Sequence, residues 1–197
     1  EQIFNRQRAA CIGRSVAKAA AAHALGGDQK EGAVRGDSYH LEELSMGWMA
    51  LLGGEDGLKR ASLKPSPQEA IEDLGDDLIG AEDDPGPFAE VIACLHRYSE
   101  GDMAALDEIG LDFSGVTPFF SAAWNACRSI PPGETRSYAW LAAEAGSPLA
   151  MRAAGQAMAR NRFSLIIPCH RVIASDGGLG GYGGGGLGVK ARLLQME

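Results

Sequence analysis

The sequence predicts an α+β protein, in which a small lobe of strands and helices precedes a mostly helical lobe. Its 197 residues include 45% apolar residues, enough to form a sizeable core. Most strand-like patterns occur in the first half. The net charge of −8 is also uneven, because eight Lys and Arg stand against four Asp and Glu from Phe119 onward, which leaves −12 for residues 1–118. We therefore divide the chain into an extension (1–37), an N-terminal α/β lobe (38–116) and a C-terminal lobe (117–197).

The first half of the chain predicts a helix followed by a β-hairpin. Residues 1–37 are rich in Ala, with interspersed Arg and Lys. Ala and Lys favour a helix that Gly26-Gly27 would end, and a polar linker follows. The segment GWMALLGGEDGLKRASL (47–63) predicts two short strands around a turn at Glu55-Asp56-Gly57. These strands form the sheet of the N-terminal lobe.

Two helices and one more strand complete the predicted N-terminal lobe. Ser66 is a suitable N-cap and Pro67 a suitable first residue for a helix. The segment FAEVIACLHRYSEG (88–101) predicts an amphipathic helix that ends at Gly101. The segment DEIGLDFSGVTP (107–118) predicts a further short strand.

The second half predicts helices, two of which form a helix-turn-helix. Thr117 caps a helix that has Pro118 in its first turn and ends before Pro131-Pro132-Gly133. The segment SYAWLAAEAG predicts a short helix closed by Gly146, and Ser147-Pro148 begins the next one. Two short helices joined by a glycine turn have the arrangement of a helix-turn-helix.

The second helix of this pair has almost no side-chain bulk apart from Arg152. One interpretation is structural, because Ala is the best helix former and small residues let helices pack closely. The other is functional, because a smooth helix with one arginine fits the minor groove of DNA, which is about 6 Å wide. The residues alone leave both open. The small residues are Ala150, Ala153, Ala154, Gly155, Ala157 and Ala159.

The cysteines predict neither a disulfide scaffold nor a metal site. Cys11, Cys94, Cys127 and Cys169 show no CxxC spacing, which is typical of proteins of the reducing cytoplasm. Cys94 lies close to His96, but no second pair of zinc ligands follows. No apolar run approaches the roughly 18 residues that cross a bilayer, and so we expect no membrane partner.

The segment SLIIPCHRVIASDGG (164–178) places a thiol and an imidazole side by side. The run 165–167 predicts a buried strand, on which Cys169 and His170 would point to opposite faces. Pro168 predicts a break that brings them together. An adjacent imidazole favours a nucleophilic thiolate, whereas most free cysteines, including Cys94, are small buried residues. For Cys169 the pattern alone leaves both possibilities open.

A resemblance of three segments to a known family decides between a nucleophilic Cys169 and a purely structural one. IPCHRV (167–172), DGGLGGYGGGGLGVKARLLQME (176–197) and GETRSYAWLAAEAGSPLAMRAAGQAMARN (133–161) closely resemble the active-site signature and helix-turn-helix of the O6-alkylguanine-DNA alkyltransferases. The resemblance covers residues 113–197 in detail and extends more weakly to Tyr39. It implies DNA repair by direct, irreversible alkyl transfer to Cys169 from O6-alkylguanine in double-stranded DNA, with O4-alkylthymine as a second substrate. It also implies no cofactor, and we expect a cytoplasmic monomer.

The resemblance assigns roles to four catalytic residues. Cys169 attacks the alkyl carbon and keeps the alkyl group as a thioether. His170 takes the thiol proton through a water, and Glu197 orients the imidazole. Tyr138 helps to rotate the nucleotide out of the duplex and donates its hydroxyl to guanine N3. The alternative interpretation of Glu197 is a frayed chain end.

The resemblance also implies a DNA-binding set and a pocket set. Arg152 takes the place of the flipped base, and the backbone carbonyls of Cys169 and Val172 accept the guanine amino group. Asn161 holds the turn before the cysteine, and Lys190 supports the pocket or lies at the surface. The DNA-binding set is Arg152, Tyr138, Ala150, Met151, Ala153 and Gly155. The pocket set is Asn161, Met158, Val172, Tyr182, Gly183 and Lys190.

Three other functions compete with repair. A DNA-lesion-binding regulator of an adaptive response would use alkylation of the protein as a signal. A sensor that only binds alkylated DNA would lack the cysteine, and Cys169 is present. A thiol protease would have its histidine far from the cysteine in sequence, whereas His170 is adjacent.

Overall fold

The computed structural model describes residues 36–54 and 56–197. The helix predicted within residues 1–37 therefore lies outside the described residues, except for the last two positions of that range. Cys11 and Glu55, the first residue of the predicted turn, also lie outside them. No helix in the described part of the chain is long and apolar enough to cross a membrane.

The N-terminal lobe contains a sheet of β1 (Ser38–Leu44), β2 (Gly47–Gly54), β3 (Gly57–Lys64) and β4 (Glu82–Asp83). The strand order is β3-β2-β1-β4, with β1 to β3 antiparallel and β4 parallel to β1. The predicted hairpin corresponds to β2 and β3. Sequence analysis did not identify β1, whose polar residues give a weak strand pattern, or the two-residue β4.

Strand β2 is buried on both faces because the sheet lies between two apolar layers. Met49 and Leu51 point to the main core, and Ala50 and Leu52 pack with residues of a helix on the opposite face. A central strand covered on both sides is expected to be continuously apolar, as this one is. The sheet is therefore a rigid support for the second lobe.

Two helices of the N-terminal lobe form where the sequence predicts them. Helix α1 (Pro67–Leu74) is capped by Ser66, whose hydroxyl accepts a hydrogen bond from the Glu69 amide at 3.3 Å. Helix α2 (Ala89–Ser99) follows a short 3-10 turn (Gly86–Phe88). Gly101 lies two residues after the end of α2, and its φ of +105° takes the backbone out of the helical conformation.

The strand predicted within residues 107–118 is wrong. Only an isolated bridge forms there, between Leu111 and Leu58. The backbone turns instead, since the Asp112 carboxylate accepts a hydrogen bond from the Ser114 amide at 2.7 Å. The Arg128 guanidinium donates to the carbonyls of three residues in the preceding turn, at 2.7–3.0 Å. Arg128 therefore donates hydrogen bonds that these carbonyls would otherwise accept from a neighbouring strand.

The C-terminal lobe is built from helices α3 (Pro118–Arg128), α4 (Tyr138–Glu144), α5 (Met151–Ala159) and α6 (Leu187–Met196). A two-stranded parallel pair, β5 (Arg136–Ser137) and β6 (Val172–Ile173), links the start of α4 to the cysteine segment. The predicted Thr117 cap is present, and its hydroxyl accepts a hydrogen bond from the Phe120 amide at 3.4 Å.

The predicted helix-turn-helix is formed by α4 and α5. Gly146 has φ +80°, a conformation that favours glycine, and it closes α4 as expected. Ser147-Pro148 does not begin α5, because these residues form a separate turn in which the Ala150 amide donates to the Ser147 carbonyl at 2.8 Å. Helix α5 starts at Met151, with Ala150 as its N-cap.

The strand predicted from the apolar run 165–167 is also wrong. Leu165, Ile166 and Ile167 are buried, but they follow an irregular path in which Leu165 has φ +74°. Backbone pairing is limited to an isolated bridge between Phe163 and Ala61 of β3. Apolar composition alone does not distinguish a buried strand from a buried turn.

Candidate active site and DNA-facing surface

The cysteine segment turns sharply, as Pro168 predicts. Residues Cys169–Arg171 form a single 3-10 turn, closed by a hydrogen bond from the Arg171 amide to the Pro168 carbonyl at 2.8 Å. The Cys169 amide donates to the Ile167 carbonyl at 2.7 Å. The thiol and the imidazole of His170 are therefore not held on opposite faces of a strand.

Asn161 fixes this turn and contacts the thiol directly. Its Nδ2 donates to the Ile167 carbonyl at 3.0 Å and to Cys169 Sγ at 3.3 Å. Its Oδ1 accepts from the Phe163 amide at 2.9 Å. The amide side chain thus joins the end of α5 to the cysteine, and the sequence-based role of Asn161 in holding the turn agrees with these contacts.

The surroundings of Cys169 hold it as a thiol rather than a thiolate. Burial raises the pKa of the Cys169 thiol, and the hydrogen bond from Asn161 and the positive charge of Lys190 oppose this rise only in part. A nucleophilic reaction of Cys169 therefore needs a nearby group that removes its proton.

His170 is suited to that role because its imidazole is buried and neutral. Its Nε2 lies 3.0 Å from Glu197 Oε1, and its Nδ1 has no hydrogen-bond partner among the described residues. Burial lowers the pKa of His170, and the nearby Arg171 and Lys190 also lower it, whereas Glu197 raises it. The burial effect is larger, so the imidazole is available as a proton acceptor.

Glu197 is the centre of a buried polar cluster formed by Tyr98, His170, Arg171 and Glu197. Arg171 donates to the two carboxylate oxygens at 2.8 Å through Nε and Nη2, and the Tyr98 hydroxyl donates at 2.7 Å. These hydrogen bonds, together with that to His170, hold the pKa of Glu197 far below its usual range. The side chain is 1% exposed. The interpretation of Glu197 as a frayed chain end is therefore wrong.

Lys190 is buried beneath the loop that follows the cysteine. Its Nζ donates to the Val172 carbonyl at 2.7 Å and to the Leu179 carbonyl. Burial lowers the pKa of Lys190. Lys190 therefore ties the loop to the cysteine segment from below and does not lie at the surface. Neither Lys190 nor Val172 lines the two cavities described next.

Two cavities meet at Cys169. The loop-side cavity has a volume of about 220 Å³ and is lined by Tyr138, Gly155, Met158, Ala159, Cys169, Gly181, Tyr182 and Gly183. It brings together the predicted nucleophile, the predicted tyrosine and three members of the predicted pocket set. The lobe-interface cavity, of about 270 Å³, also includes Cys169 but extends to β3 and to the residues after α5.

The outer face of α5 is exposed next to the loop-side cavity. Arg152 is exposed, and its guanidinium has no ion pair or hydrogen bond among the described residues. Met151 is 52% exposed and the preceding Leu149 is 98% exposed. A Cβ on Gly155 would meet no atom within 4 Å. This face thus combines one unpaired cation with small residues, while the larger side chains of Leu149 and Met151 are exposed at its start.

The inner face of the same helix explains its other alanines. Ala154 and Ala157 are buried, and the Ala157 carbonyl accepts a hydrogen bond from Trp124 Nε1 of α3 at 2.8 Å. The structural interpretation of the small residues therefore holds for Ala154 and Ala157. It does not account for the outer face.

Comparison with known proteins identifies the family. Residues 118–197 match the family model of the 6-O-methylguanine DNA methyltransferase DNA-binding domain. The methylated-DNA–protein-cysteine methyltransferase of Methanosarcina acetivorans is 36% identical over 159 residues, which cover 81% of this chain and 97% of that protein. The chain belongs to the methylated-DNA–protein-cysteine methyltransferase family.

Two further relatives agree with this family assignment. The enzyme of the same name from Mycobacterium leprae is 46% identical over 112 residues, which are 57% of this chain and 66% of that protein. The crystal structure of Mycobacterium tuberculosis OGT in complex with DNA is 32% identical, with a TM-score of 0.66 over 81% of this chain and 91% of that one. The α+β fold of the present chain is therefore the fold of this family.

Family membership defines the activity and one partner of the chain. As a methylated-DNA–protein-cysteine methyltransferase, it repairs DNA by transferring an alkyl group to a protein cysteine, and DNA is its partner. No relative named here is described as a regulator. The regulatory alternative therefore gains no support.

The sequence analysis gave no specific role to three residues in or beside this candidate site. Arg171 and Tyr98 bind Glu197, and Leu149 is exposed shortly before the start of α5. Arg171 is adjacent to the cysteine and histidine, so its position was a usable signal. Tyr98 lies 99 residues before Glu197 and no local pattern connects them.

Proposed function

We propose that Cys169 is the acceptor of an alkyl group from O6-alkylguanine in double-stranded DNA. The observation that supports this most strongly is the position of Cys169 in the wall of the loop-side cavity, next to the buried His170–Glu197 pair. Cys94 and Cys127 are buried and line neither of the two cavities described above. Cys169 is thus the described cysteine that a flipped base reaches.

The proposed reaction is a single displacement. His170 accepts the thiol proton, and the resulting thiolate of Cys169 attacks the alkyl carbon of the substrate. The S–C bond forms as the C–O6 bond breaks, and the bonding electrons pass to guanine O6. Guanine gains one proton at N1 and the imidazolium of His170 releases the proton that it took from the thiol, so no proton is gained or lost overall. The thioether is stable, and each chain reacts once.

Glu197 acts on His170 and does not touch the substrate in this scheme. Its hydrogen bond to Nε2 requires the proton of the neutral imidazole to be on that nitrogen, which leaves Nδ1 as the acceptor. Nδ1 is the buried atom that has no partner among the described residues. Because Arg171 and Tyr98 hold the carboxylate, the tautomer of His170 is fixed before substrate arrives.

Access to the base requires it to leave the duplex, and the outer face of α5 supports this step. Its small residues fit the minor groove, and Arg152 fills the space vacated by the base. Tyr138 lines the loop-side cavity and helps to rotate the nucleotide, with its hydroxyl donating to guanine N3. The other DNA-facing residues in this proposal are Ala150, Met151, Ala153 and Gly155.

The pocket itself is lined by Met158, Tyr182 and Gly183, while Asn161 and Lys190 support it from behind. The backbone carbonyl of Cys169 accepts the amino group of guanine. The sequence-based role of the Val172 carbonyl in this contact is not retained, because Val172 lines neither cavity and its carbonyl is bonded to Lys190. O4-alkylthymine is the proposed second substrate. The protein acts as a monomer because every proposed site residue lies in one chain, and it acts in the cytoplasm, where thiols stay reduced.

Intact-mass analysis after mixing with a duplex that contains O6-methylguanine tests this proposal. We expect a gain of one CH2 per chain, located by peptide mapping on the peptide that contains Cys169. The same duplex without the methyl group is the control. A gain that maps to Cys94 or Cys127, or no gain at all, would refute the assignment.

A further inference from the structure

The lobe-interface cavity has no role in the scheme so far, although it also opens at the nucleophile. It shares four residues with the loop-side cavity, namely Met158, Ala159, Cys169 and Gly183. The two cavities are therefore neighbouring spaces whose shared wall includes Cys169. A group bound at the Cys169 thiol is adjacent to both of them.

The lobe-interface cavity differs from the loop-side cavity in its charge. Its lining includes four cationic side chains and one carboxylate, whereas the loop-side cavity has no charged residue in its lining. The carboxylate is Asp73, which lies 2.8 Å from Lys64 Nζ and 3.4 Å from Arg60 Nη2. The other two cations are Arg160 and Arg162.

Arg160 and Arg162 contribute positive charge that Asp73 does not neutralise. Both are exposed, and neither forms an ion pair with a carboxylate among residues 36–54 and 56–197. Asp73 is already bonded by Lys64 and by the Ser62 hydroxyl at 2.8 Å. The cavity thus presents a surplus of cationic groups to whatever enters it.

Hydrogen bonds connect the parts of the chain that form the wall of the lobe-interface cavity. Lys64 of β3 donates to the Gly183 carbonyl at 3.2 Å, which joins the N-terminal sheet to the loop that both cavities share. Asn161, whose side chain is fixed by the turn and bonds to Cys169 Sγ, forms another part of the wall. With a volume of about 270 Å³, the cavity has room for several heavy atoms, since one water in the liquid occupies about 30 Å³.

We propose that the lobe-interface cavity binds the distal end of a bulky O6-substituent and favours a substituent that ends in an anion such as a carboxylate. This inference rests on the proposed function, because it places the reacting carbon at Cys169 and the base in the loop-side cavity. The atoms beyond that carbon then extend into the lobe-interface cavity, where Arg160 and Arg162 attract negative charge.

The reaction is the same displacement with a larger group. The S–C bond forms between Cys169 and the carbon attached to O6, the C–O6 bond breaks, and its electrons pass to O6. The thiol proton goes to His170, which releases it again as guanine gains one proton at N1. The carboxylate stays ionised throughout and is retained on the protein as part of the thioether.

Two free bases of matched shape test the charge preference without any DNA phosphate. We would compare O6-(carboxymethyl)guanine with O6-(carbamoylmethyl)guanine, which carries a neutral amide in place of the carboxylate. The second-order rate of adduct formation on Cys169 is measured by intact mass for each base. The ratio of the two rates corrects for any general loss of activity in a variant.

The variants are Arg160→Gln and Arg162→Gln, with Arg192→Gln as the matched control. Arg192 is an exposed arginine of α6 that lines neither of these two cavities. We expect the carboxymethyl-to-carbamoylmethyl ratio to fall at least about threefold in Arg162→Gln and Arg160→Gln, and to stay constant in Arg192→Gln. Added salt is expected to lower the same ratio in the unmodified protein, because it screens exposed charges.

The outcomes separate this inference from the proposed function. A ratio that stays constant in both cavity variants and in salt, while methyl transfer from the O6-methylguanine duplex proceeds, refutes the cavity proposal alone. An equal fall with Arg192→Gln refutes it as well, since the effect is then not local. Absence of methyl transfer to Cys169 in the unmodified protein refutes the proposed function, and with it the inference.

Discussion

The buried polar cluster and the outer face of α5 each contain an arginine, but the two arginines differ in burial and in hydrogen bonding. In the cluster, the guanidinium of Arg171 donates to Glu197 through two nitrogens and to the Ile130 carbonyl at 2.6 Å through the third. On α5, the guanidinium of Arg152 has no partner among the described residues. One arginine is fully satisfied inside the protein, and the other is not.

This difference separates groups that prepare the site from groups that bind the substrate. In a buried ion pair, separating the partners or removing one of them leaves an uncompensated charge, which costs about 3–5 kcal/mol. The pair therefore keeps its geometry. An exposed arginine beside small residues contributes little to stability. Its interactions remain available for DNA, where we propose that it replaces the stacking lost by a flipped base. The five predictions below test this separation, beginning with the residue that lies between the two regions.

The largest effect is expected for Cys169→Ser. In the proposed reaction the thiol bonds the alkyl carbon and not the DNA duplex, so transfer should be lost while binding of alkylated duplex stays nearly unchanged. The expected loss in rate is roughly 10⁵-fold or more, the scale observed when an enzyme loses its nucleophile. Single-turnover transfer and duplex binding are measured on the same preparation. A serine variant that accepts methyl at a comparable rate would show that the nucleophile is misassigned.

Glu197→Gln should break the buried cluster. Arg171 then has an amide in place of the carboxylate and remains buried with its charge uncompensated, so we expect the free energy of unfolding to fall by about 3–5 kcal/mol. Chemical denaturation measures this loss. Glu134→Gln is the matched control, because Glu134 forms an exposed ion pair with Arg136, and such pairs contribute about 0–1 kcal/mol. Similar losses in the two variants would contradict a special role for the buried carboxylate.

Arg152→Ala should behave in the opposite way to Glu197→Gln. We expect a large effect on duplex repair and little effect on the free energy of unfolding. We expect repair of O6-methylguanine in duplex DNA to slow by about 10- to 100-fold, because filling the base stack offsets an unstacking cost of a few kcal/mol. Attack on free O6-benzylguanine involves no stack and should change much less. Equal losses on both substrates would place Arg152 in support of the fold or of the pocket.

Tyr98→Phe removes one hydrogen bond from the cluster but leaves the charges paired. A hydrogen bond to a charged group contributes about 1.5–3 kcal/mol, and the lost stability should lie near the lower end because Arg171 still holds both carboxylate oxygens. Tyr39→Phe is a suitable control, since the Tyr39 hydroxyl has no hydrogen bond to another described residue. A loss below about 0.5 kcal/mol in Tyr98→Phe would indicate that the hydroxyl adds nothing to the cluster.

The two regions also differ in how far the sequence predicts them. The small residues and the arginine of α5 were recognised from the sequence, because the composition of α5 and the glycine turn before it lie within one local segment. The turn at Cys169–Arg171 was predicted from Pro168 alone. Tyr98 and the buried position of Lys190 were not predicted, because these contacts depend on how α2 and α6 pack in three dimensions. The strands expected at 107–118 and 165–167 failed for a related reason, since Arg128 and Asn161 from other segments satisfy the backbone there.

The smallest expected effect, a pH dependence of stability, distinguishes buried His170 from His40 on β1. The pKa of His170 is lowered by burial, so below about pH 6.5, where the unfolded imidazole binds a proton, the folded one does not. Stability is then lost as pH falls from 6.5 toward the folded pKa, with a slope of at most about 1.4 kcal/mol per pH unit for one proton. The pKa of His40 is raised by its hydrogen bond to Glu42. Its contribution is complete below pH 6.5 and is lost as pH rises through the folded pKa.

Denaturation of His170→Gln and His40→Gln between pH 5 and 8 separates the two effects. Relative to the unmodified protein, His170→Gln should weaken the decline in stability below pH 6.5, and His40→Gln should weaken the decline above it. Carboxylates that titrate below pH 5 affect all three proteins alike and cancel in the differences. If His170→Gln parallels the unmodified protein below pH 6.5, folding does not lower the pKa of His170. The imidazole is then protonated from about pH 6.5 downward in the folded protein too, and the neutral acceptor that the proposed relay from Cys169 needs is not kept by burial in that range.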